Sequence, residues 1–308
     1  MSTAQDAVTD PPVPRVLSIA GTDPTGGAGV QADLKSIAAQ GGYGMAVVTA
    51  LVAQNTHGVR AVHTPPTAFL RAQLDAVADD VEVDAVKTGM LGDAATVAAV
   101  EEWLLRIAPP VVVVDPVMVA TSGDRLLRAD AERALVAMLG ALGGAGGSDV
   151  LVTPNVPELG VLADAPPARS WDELLAQARA VAAATGVTVL AKGGHLEGPD
   201  ADDILVAPGS AGGPACPVVL AGRRVATTCT HGTGCSLSSA VATARVRYGS
   251  WEPAAREAKR WLTESLAAAE SLRVGTGRGP ISHLAGLWER GGLETRLRPA
   301  GATGAAGA

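Results

Sequence analysis

Short aliphatic runs alternate along the chain with longer stretches in which apolar residues recur every three or four positions. The short runs, bounded by Gly, Pro and Asp, predict strands, and the periodic stretches predict amphipathic helices. Residues 15–20 (Arg-Val-Leu-Ser-Ile-Ala) read as a first strand, followed by a glycine-rich turn and a helix over 30–40. Further strands are predicted at 45–52, 84–87, 111–114, 150–152 and 187–191, with helices at 67–80, 96–107, 129–142 and 171–185. Two long helices, 234–248 and 252–272, close the pattern. This alternation implies right-handed crossovers and an α/β fold: a mostly parallel central sheet with helices on both faces, a three-layer sandwich. Runs at 203–206 and 223–227 flank a Gly/Pro-rich insert and predict a small antiparallel hairpin at one edge. The glycine-rich stretch 140–147 reads as a flexible surface loop. Residues 14–296 are expected to form a single domain, with residues 1–13 and 297–308 as disordered tails.

Composition narrows the picture. With 47% hydrophobic and 18% charged residues, most of the chain is expected to be ordered. One Phe and two Tyr leave the core to Val, Leu, Ile, Ala and Met, which suits buried parallel strands. The net charge of −7 argues against a nucleic-acid or anionic-membrane surface. No uninterrupted apolar stretch is long enough to span a bilayer, and the polar, Pro-rich N-terminus does not resemble a signal peptide. Three cysteines form no common zinc pattern and no disulfide framework. Together these point to a cytoplasmic protein.

In open α/β sheets, ligands gather where strands end and helices begin. The distinctive polar segments of this chain fall at such places. Asp115-Pro116 follows one predicted strand, Thr153-Pro-Asn155 the next, and Lys192-Gly-Gly-His195 the one after. His231-Gly-Thr-Gly-Cys235 opens a long helix, where glycines let backbone N–H groups face an anion; an ordinary glycine-rich loop accounts for the same spacing equally well. Gly21-Thr-Asp-Pro-Thr-Gly-Gly-Ala-Gly29 is neither a Walker A sequence nor a GxGxxG fingerprint, and lets backbone approach a ligand closely. Asn155 and Glu158 read as a helix cap or as oxygen donors for Mg²⁺ beside Asp115, two roles that are compatible. Lys192, one of only four lysines, is a cation at a strand end; His195 is a secondary candidate.

Read together, seven segments resemble the hydroxymethylpyrimidine/phosphomethylpyrimidine kinase family of thiamine biosynthesis, within the ribokinase-like superfamily. They are Ser18–Asp33, Thr49–Thr56, Lys87-Thr-Gly-Met-Leu91, Asp115-Pro-Val-Met118, Thr153–Glu158, Lys192–His195 and His231–Cys235, in family order. The resemblance spans residues 15–290. It implies a ribokinase-like fold and ATP- and Mg²⁺-dependent phosphorylation of 4-amino-5-hydroxymethyl-2-methylpyrimidine, then of its monophosphate. It further implies that Gly21, Asp33 and Gln54 contact the pyrimidine while Met90 and Val117 line the ring pocket. Asp115, Asn155 and Glu158 would serve the phosphates, with Asp115 and Glu158 as metal ligands and Lys192 near the nucleotide. Gly232, Thr233, Gly234 and Cys235 would form the catalytic anion hole, in a homodimer.

Sugar kinases of the superfamily carry Asp where this chain has Cys235. A helix N-terminus can lower a thiol's pKa, so a weak base or a positioning group is expected there, with the backbone contributing more. Many relatives have Lys-Ser-Gly where this chain has Thr121-Ser-Gly123, which removes one expected cation. Pyridoxine or pyridoxal is the alternative acceptor, alone or as a second activity; a non-catalytic binding protein is disfavoured by the intact carboxylates and turn.

Overall fold

The computed structural model describes residues 13–118, 128–209 and 216–292. The chain begins β1 (Arg15–Ala20), α1 (Gly29–Ala39), β2 (Tyr43–Val48), then β3 (Leu51–Asn55) and β4 (Gly58–His63). Next come α2 (Thr67–Ala78), β5 (Ala85–Thr88), α3 (Ala94–Ile107), β6 (Val111–Val114), α4 (Ala129–Ala145) and β7 (Asp149–Val152). Then follow α5 (Val156–Leu162), α6 (Trp171–Thr185), β8 (Thr188–Lys192), β9 (Asp203–Val206) and β10 (Val218–Leu220). The described chain ends with α7 (Thr233–Tyr248), α8 (Trp251–Ala267) and α9 (Ala285–Arg290).

Eight strands form one sheet in the order β10-β9-β8-β7-β6-β5-β1-β2, parallel except where β9 runs against both β8 and β10. The predicted mostly parallel sheet with an antiparallel edge is therefore present. Alternate side chains of each strand serve opposite faces. Val112 and Val114 pack into a core with Leu74, Trp103, Leu139 and Leu174, whereas Val111 and Val113 pack with Ile37, Leu237, Val241 and Trp261. All four valines of β6 are buried, as expected for a central parallel strand covered on both sides. Helix α7 is buried from Ser236 through Ala244. Its small residues allow close approach to the sheet, and Ser236, Ser238 and Thr243 hydroxyls donate back to helix carbonyls, so no hydroxyl is stranded there.

The structure corrects four expectations. The run 45–52 is two strands: Thr49 N–H still bonds Ala20, but Thr22 N–H takes the carbonyl of Ala50, and the chain leaves the main sheet. β3 then pairs with β4, a hairpin absent from the sequence reading because β4 is largely exposed and lacks a buried apolar face. The second strand of the edge hairpin is 218–220 rather than 223–227; Arg224 instead donates to the carbonyls of Gly194, Leu196, Gly198 and Asp200. Residues 140–145 are helical, and Gly143 lets α4 cross α6: a Cβ there would lie 2.0 Å from the Thr185 carbonyl oxygen. Finally, the last long helix stops at Ala267 and continues as a 3-10 turn to Leu272. The predicted tails lie outside the described residues, save Val13.

Candidate functional site

The parallel strands β1, β5, β6, β7 and β8 all finish at one edge, and the distinctive segments finish with them. They line a cavity of about 830 Å³. Gly21, Gln54, Met90, Val117, Asp115, Asn155, Glu158, Lys192 and Gly232–Cys235 all face it, so residues scattered over the chain converge on one space.

The turn before α7 is held on all sides. Gly232 caps the helix in the left-handed region at φ 77°, where a side chain is disfavoured. A Cβ there would also fall 1.8 Å from the Gly27 carbonyl oxygen, so the two glycine-rich loops are in backbone contact. His231 N–H donates to the Gly279 carbonyl at 3.0 Å, and Ser236 Oγ donates to the Gly232 carbonyl at 2.7 Å. Ser236 Oγ also lies 2.9 Å from Nε2 of buried His283, whose pKa burial pushes down to about 3. The first turn of α7, whose N–H groups have no intrahelical carbonyl to bond, thus lines the cavity from a fixed backbone, an arrangement suited to a phosphoryl group.

Cys235 does not behave as a helix-end thiolate. Burial pushes its thiol up to about 11; Lys87 and the Gly29 N–H act in the opposite direction, and Asp115 and Asp33 add to the rise. Desolvation outweighs Lys87 and the Gly29 N–H, and Cys235 stays a thiol at neutral pH.

Facing the turn are the strand-end carboxylates. Asp115 is 2% exposed; its Oδ1 takes Thr153 Oγ1 at 3.3 Å and Lys192 Nζ at 3.5 Å, while Oδ2 is buried with no partner. Glu158 and Asn155 form the expected capping box, with the Asn155 N–H donating to Glu158 Oε2 at 2.8 Å and the Glu158 N–H to Asn155 Oδ1 at 2.9 Å. Burial raises the Glu158 pKa to about 7, with Lys192 opposing and Asp115 reinforcing. Lys192 Nζ stands 4.0 Å from Glu158 Oε2, and the two carboxylates hold its pKa above the usual lysine value against the effect of burial. A Cβ on Gly234 would lie 3.4 Å from Lys192 Nζ and 3.7 Å from the unpartnered Asp115 Oδ2. The turn, the cation and the orphan carboxylate oxygen meet at that point. His195 also lines the cavity, and burial beside Lys192 and Arg224 pushes its pKa down.

Asp33 is placed elsewhere. It is fully buried beneath the cavity, bound by Lys87 Nζ at 2.9 Å to both oxygens and by the hydroxyls of Ser18 and Ser239. Burial works against the Lys87 ammonium, but Asp33, Cys235 and Asp115 together keep its pKa above the usual value. A pyrimidine contact was expected of Asp33; here both of its oxygens are engaged below the cavity, which it does not line. Gln54 does reach the cavity. A β-bulge between Ala53 and Gln54 re-aims the strand at that residue. The methyl of Met90 closes on Gly21, where a Cβ would lie 2.8 Å from Cε. Thr121-Ser-Gly123 lies outside the described residues.

A family model described as phosphomethylpyrimidine kinase matches residues 23–282. The chain belongs to the phosphomethylpyrimidine kinase family. It is 47% identical over 273 residues to the hydroxymethylpyrimidine/phosphomethylpyrimidine kinase of Salmonella typhimurium, covering 88% of this chain and 98% of that protein. It is 55% identical over 276 residues to the thiamine biosynthesis multifunctional protein ThiED of Corynebacterium efficiens, covering 88% of this chain but spanning only 35% of that longer protein. Among solved structures, the phosphomethylpyrimidine kinase of Clostridium difficile superposes with a TM-score of 0.69 at 33% identity, over 82% of this chain and 99% of that one. Pyridoxal kinase of Bacillus subtilis, solved as an ADP complex, gives 0.77 at 29% identity over 89% and 98%. The fold is that of these kinases.

Sequence reasoning missed the far half of the cavity. Val225, Thr227 and Thr230 before α7, and Lys259, Leu262 and Leu266 on α8, line it. A signal was present in α8, where Lys259 and Leu262–Leu266 share a helical face, but nothing local distinguishes a cavity-lining face from a core face. Among the described residues no helix is long and apolar enough to cross a membrane.

Proposed function

We infer that the protein uses ATP to phosphorylate 4-amino-5-hydroxymethyl-2-methylpyrimidine and then its monophosphate. The observation that carries this reading is the meeting of the α7 turn, Lys192 and Asp115 around Gly234, at the mouth of a cavity floored by Gly21, Gln54 and Met90. The Gln54 side-chain amide offers one donor and one acceptor, the complement of an aminopyrimidine edge. Met90 and Val117 present the apolar wall for the ring.

In the transfer, the acceptor oxygen bonds to the γ-phosphorus while the bond to the ADP oxygen breaks. Charge on the equatorial oxygens is met by the α7 N–H groups and by Lys192. The hydroxymethyl proton passes to an oxygen of the transferred phosphoryl group as the new bond forms; Cys235 Sγ orients the acceptor beside Gly29 and does not take that proton, since the thiol is already protonated at neutral pH. Asp115 and Glu158 fit a Mg²⁺ ion, because Asp115 Oδ2 is buried without a partner and Glu158 lies close enough to share Lys192 with it. When bound, the ion would supply neutralisation of phosphate charge.

ATP consumption with hydroxymethylpyrimidine and its monophosphate as separate acceptors tests the reading; turnover of both is expected. Pyridoxal is the second acceptor to assay, favoured by the close superposition on the Bacillus subtilis pyridoxal kinase. Turnover of pyridoxal with none of the pyrimidine would replace the primary reading. We also propose a homodimer, supported by the exposed Tyr43, Leu51, Val62 and Phe69 on β2, the β3–β4 hairpin and α2. Sedimentation equilibrium decides it.

A further inference from the structure

We propose that Asp23 and His231 form a positioning pair that ties the first glycine-rich loop to the α7 turn and fixes the N–H groups that meet the transferred phosphoryl group. This rests on the kinase reading above and adds two residues to it.

The Asp23 carboxylate is fully buried and accepts five hydrogen bonds. Oδ1 takes the Thr25 N–H at 2.9 Å and the Thr25 hydroxyl at 2.7 Å. Oδ2 takes the N–H groups of Gly27 at 3.0 Å and Ala28 at 2.8 Å, and Nε2 of His231 at 2.7 Å. Although burial opposes ionisation, His231 and the Thr25 donors hold the group well below the usual carboxylate range. A carboxylate is an acceptor only, so Nε2 of His231 carries the hydrogen of that bond. Four of the five donors belong to residues 25–28, which shapes the first loop around Asp23. The fifth comes from the residue immediately before the helix-capping Gly232.

The two loops approach too closely for this bond to be incidental. A Cβ on Gly27 would fall 2.5 Å from His231 Cδ2, and one on Gly232 would fall 1.8 Å from the Gly27 carbonyl oxygen. The first loop continues into Gly29, whose N–H acts on the Cys235 thiol. His231 is also pinned from the other side by its N–H to Gly279 and by a bridge to Pro280. The imidazole is therefore the side-chain link between the acceptor loop and the transfer turn. Donors aimed at developing charge act through fixed geometry, and small displacements are felt mainly in the chemical step.

The test compares His231→Ala, His231→Gln, Asp23→Asn and the His231→Ala/Asp23→Asn double variant with wild type, on whichever acceptor the wild type turns over. His231→Ala is expected to lower kcat about 100-fold while KM for the acceptor moves less than about threefold, the signature of an interaction expressed in the transition state. His231→Gln keeps a side-chain donor and should recover at least about tenfold of that loss. Because the two residues act as a unit, the double variant should be no slower than the slower single variant. Amide hydrogen exchange at 232–236 should rise in His231→Ala and return toward wild type in His231→Gln, a readout that does not depend on the acceptor being correctly identified. Should Asp23→Asn fail to fold, the two His231 variants still decide. A His231→Ala enzyme with kcat within twofold of wild type overturns the proposal, as does a loss confined to KM, a lack of rescue by Gln, or unchanged exchange in the turn. Wild-type inactivity on the pyrimidine, with the exchange differences intact, overturns the substrate reading instead.

Discussion

The turn at His231–Cys235 and the carboxylates Asp115 and Glu158 face each other across Gly234, yet they are built in opposite ways. In the turn, the groups that set its shape are paired: His231 with Asp23 and Gly279, and the Gly232 carbonyl with Ser236. Across from it, Asp115 Oδ2 is buried with no partner, and Lys192 reaches the two carboxylates only at 3.5 and 4.0 Å. Burial drives the Glu158 pKa to about 7, so its charge is held at a cost. A buried polar atom without a partner destabilises the empty protein, whereas a pre-set donor array needs no reorganisation when charge develops. The turn is finished before ligand arrives; the carboxylate side is completed by binding.

Substitutions on the two sides should therefore differ in character. The largest effect is expected from Gly234→Val, which places a branched side chain against Lys192 and Asp115 and displaces the phosphoryl group from the α7 N–H groups. Loss of a single such donor costs about 10²–10³ in kcat, so blocking the array should lower kcat by at least about 10³. Thermal unfolding should be nearly unchanged, since the cavity is open at that point. Asp115→Asn should lower kcat by about 10² through loss of cation binding and weaken the response to added Mg²⁺. Unlike a core lesion, it should not lower the unfolding temperature, because it removes a charge that the folded protein leaves partly unpaired.

Glu158→Gln sharpens the comparison further. Gln can still accept the Asn155 N–H, so the capping box survives. Activity should fall about tenfold, less than for Asp115, if the residue assists rather than anchors the cation. Stability should move the other way. The folded pKa of about 7 lies above the ordinary value of 4.5, so the folded state binds more protons between them. Ionised Glu158 thus costs stability fully above pH 7, and the cost fades as pH falls toward 4.5. Glu158→Gln should unfold at a higher temperature than wild type at pH 8, with the difference shrinking by pH 5. A constant difference across that range would contradict the assignment.

What was legible in the sequence follows the same division between local and distant causes. β6 and α6 were readable to the residue, because four valines admit little else and because Ser170 and Gly186 cap their helix by local chemistry. The Asn155–Glu158 cap was readable for the same reason. The break within 45–52 was not, since it depends on Thr49 Oγ1 donating to the Met90 carbonyl and on the bond from Thr22 N–H to Ala50, both made only after folding. Asp23 and Asp33 flank one loop and helix with similar local surroundings. Which of them lies beneath the cavity is set by Lys87, distant in sequence, and which meets the turn by His231. The burial that raises the Cys235 thiol pKa was likewise not legible, since only the helix N-terminus shows in the sequence.

The smallest expected effect carries the most weight. If transfer is carried by the backbone turn, the thiol of Cys235 contributes orientation alone, and Cys235→Ala should retain kcat within about tenfold of wild type for ATP-dependent phosphorylation of hydroxymethylpyrimidine at pH 7.5. Measured in the same assay, Gly234→Val should be inactive. A Cys235→Ala enzyme as dead as Gly234→Val would contradict the account and return the proton to the thiol.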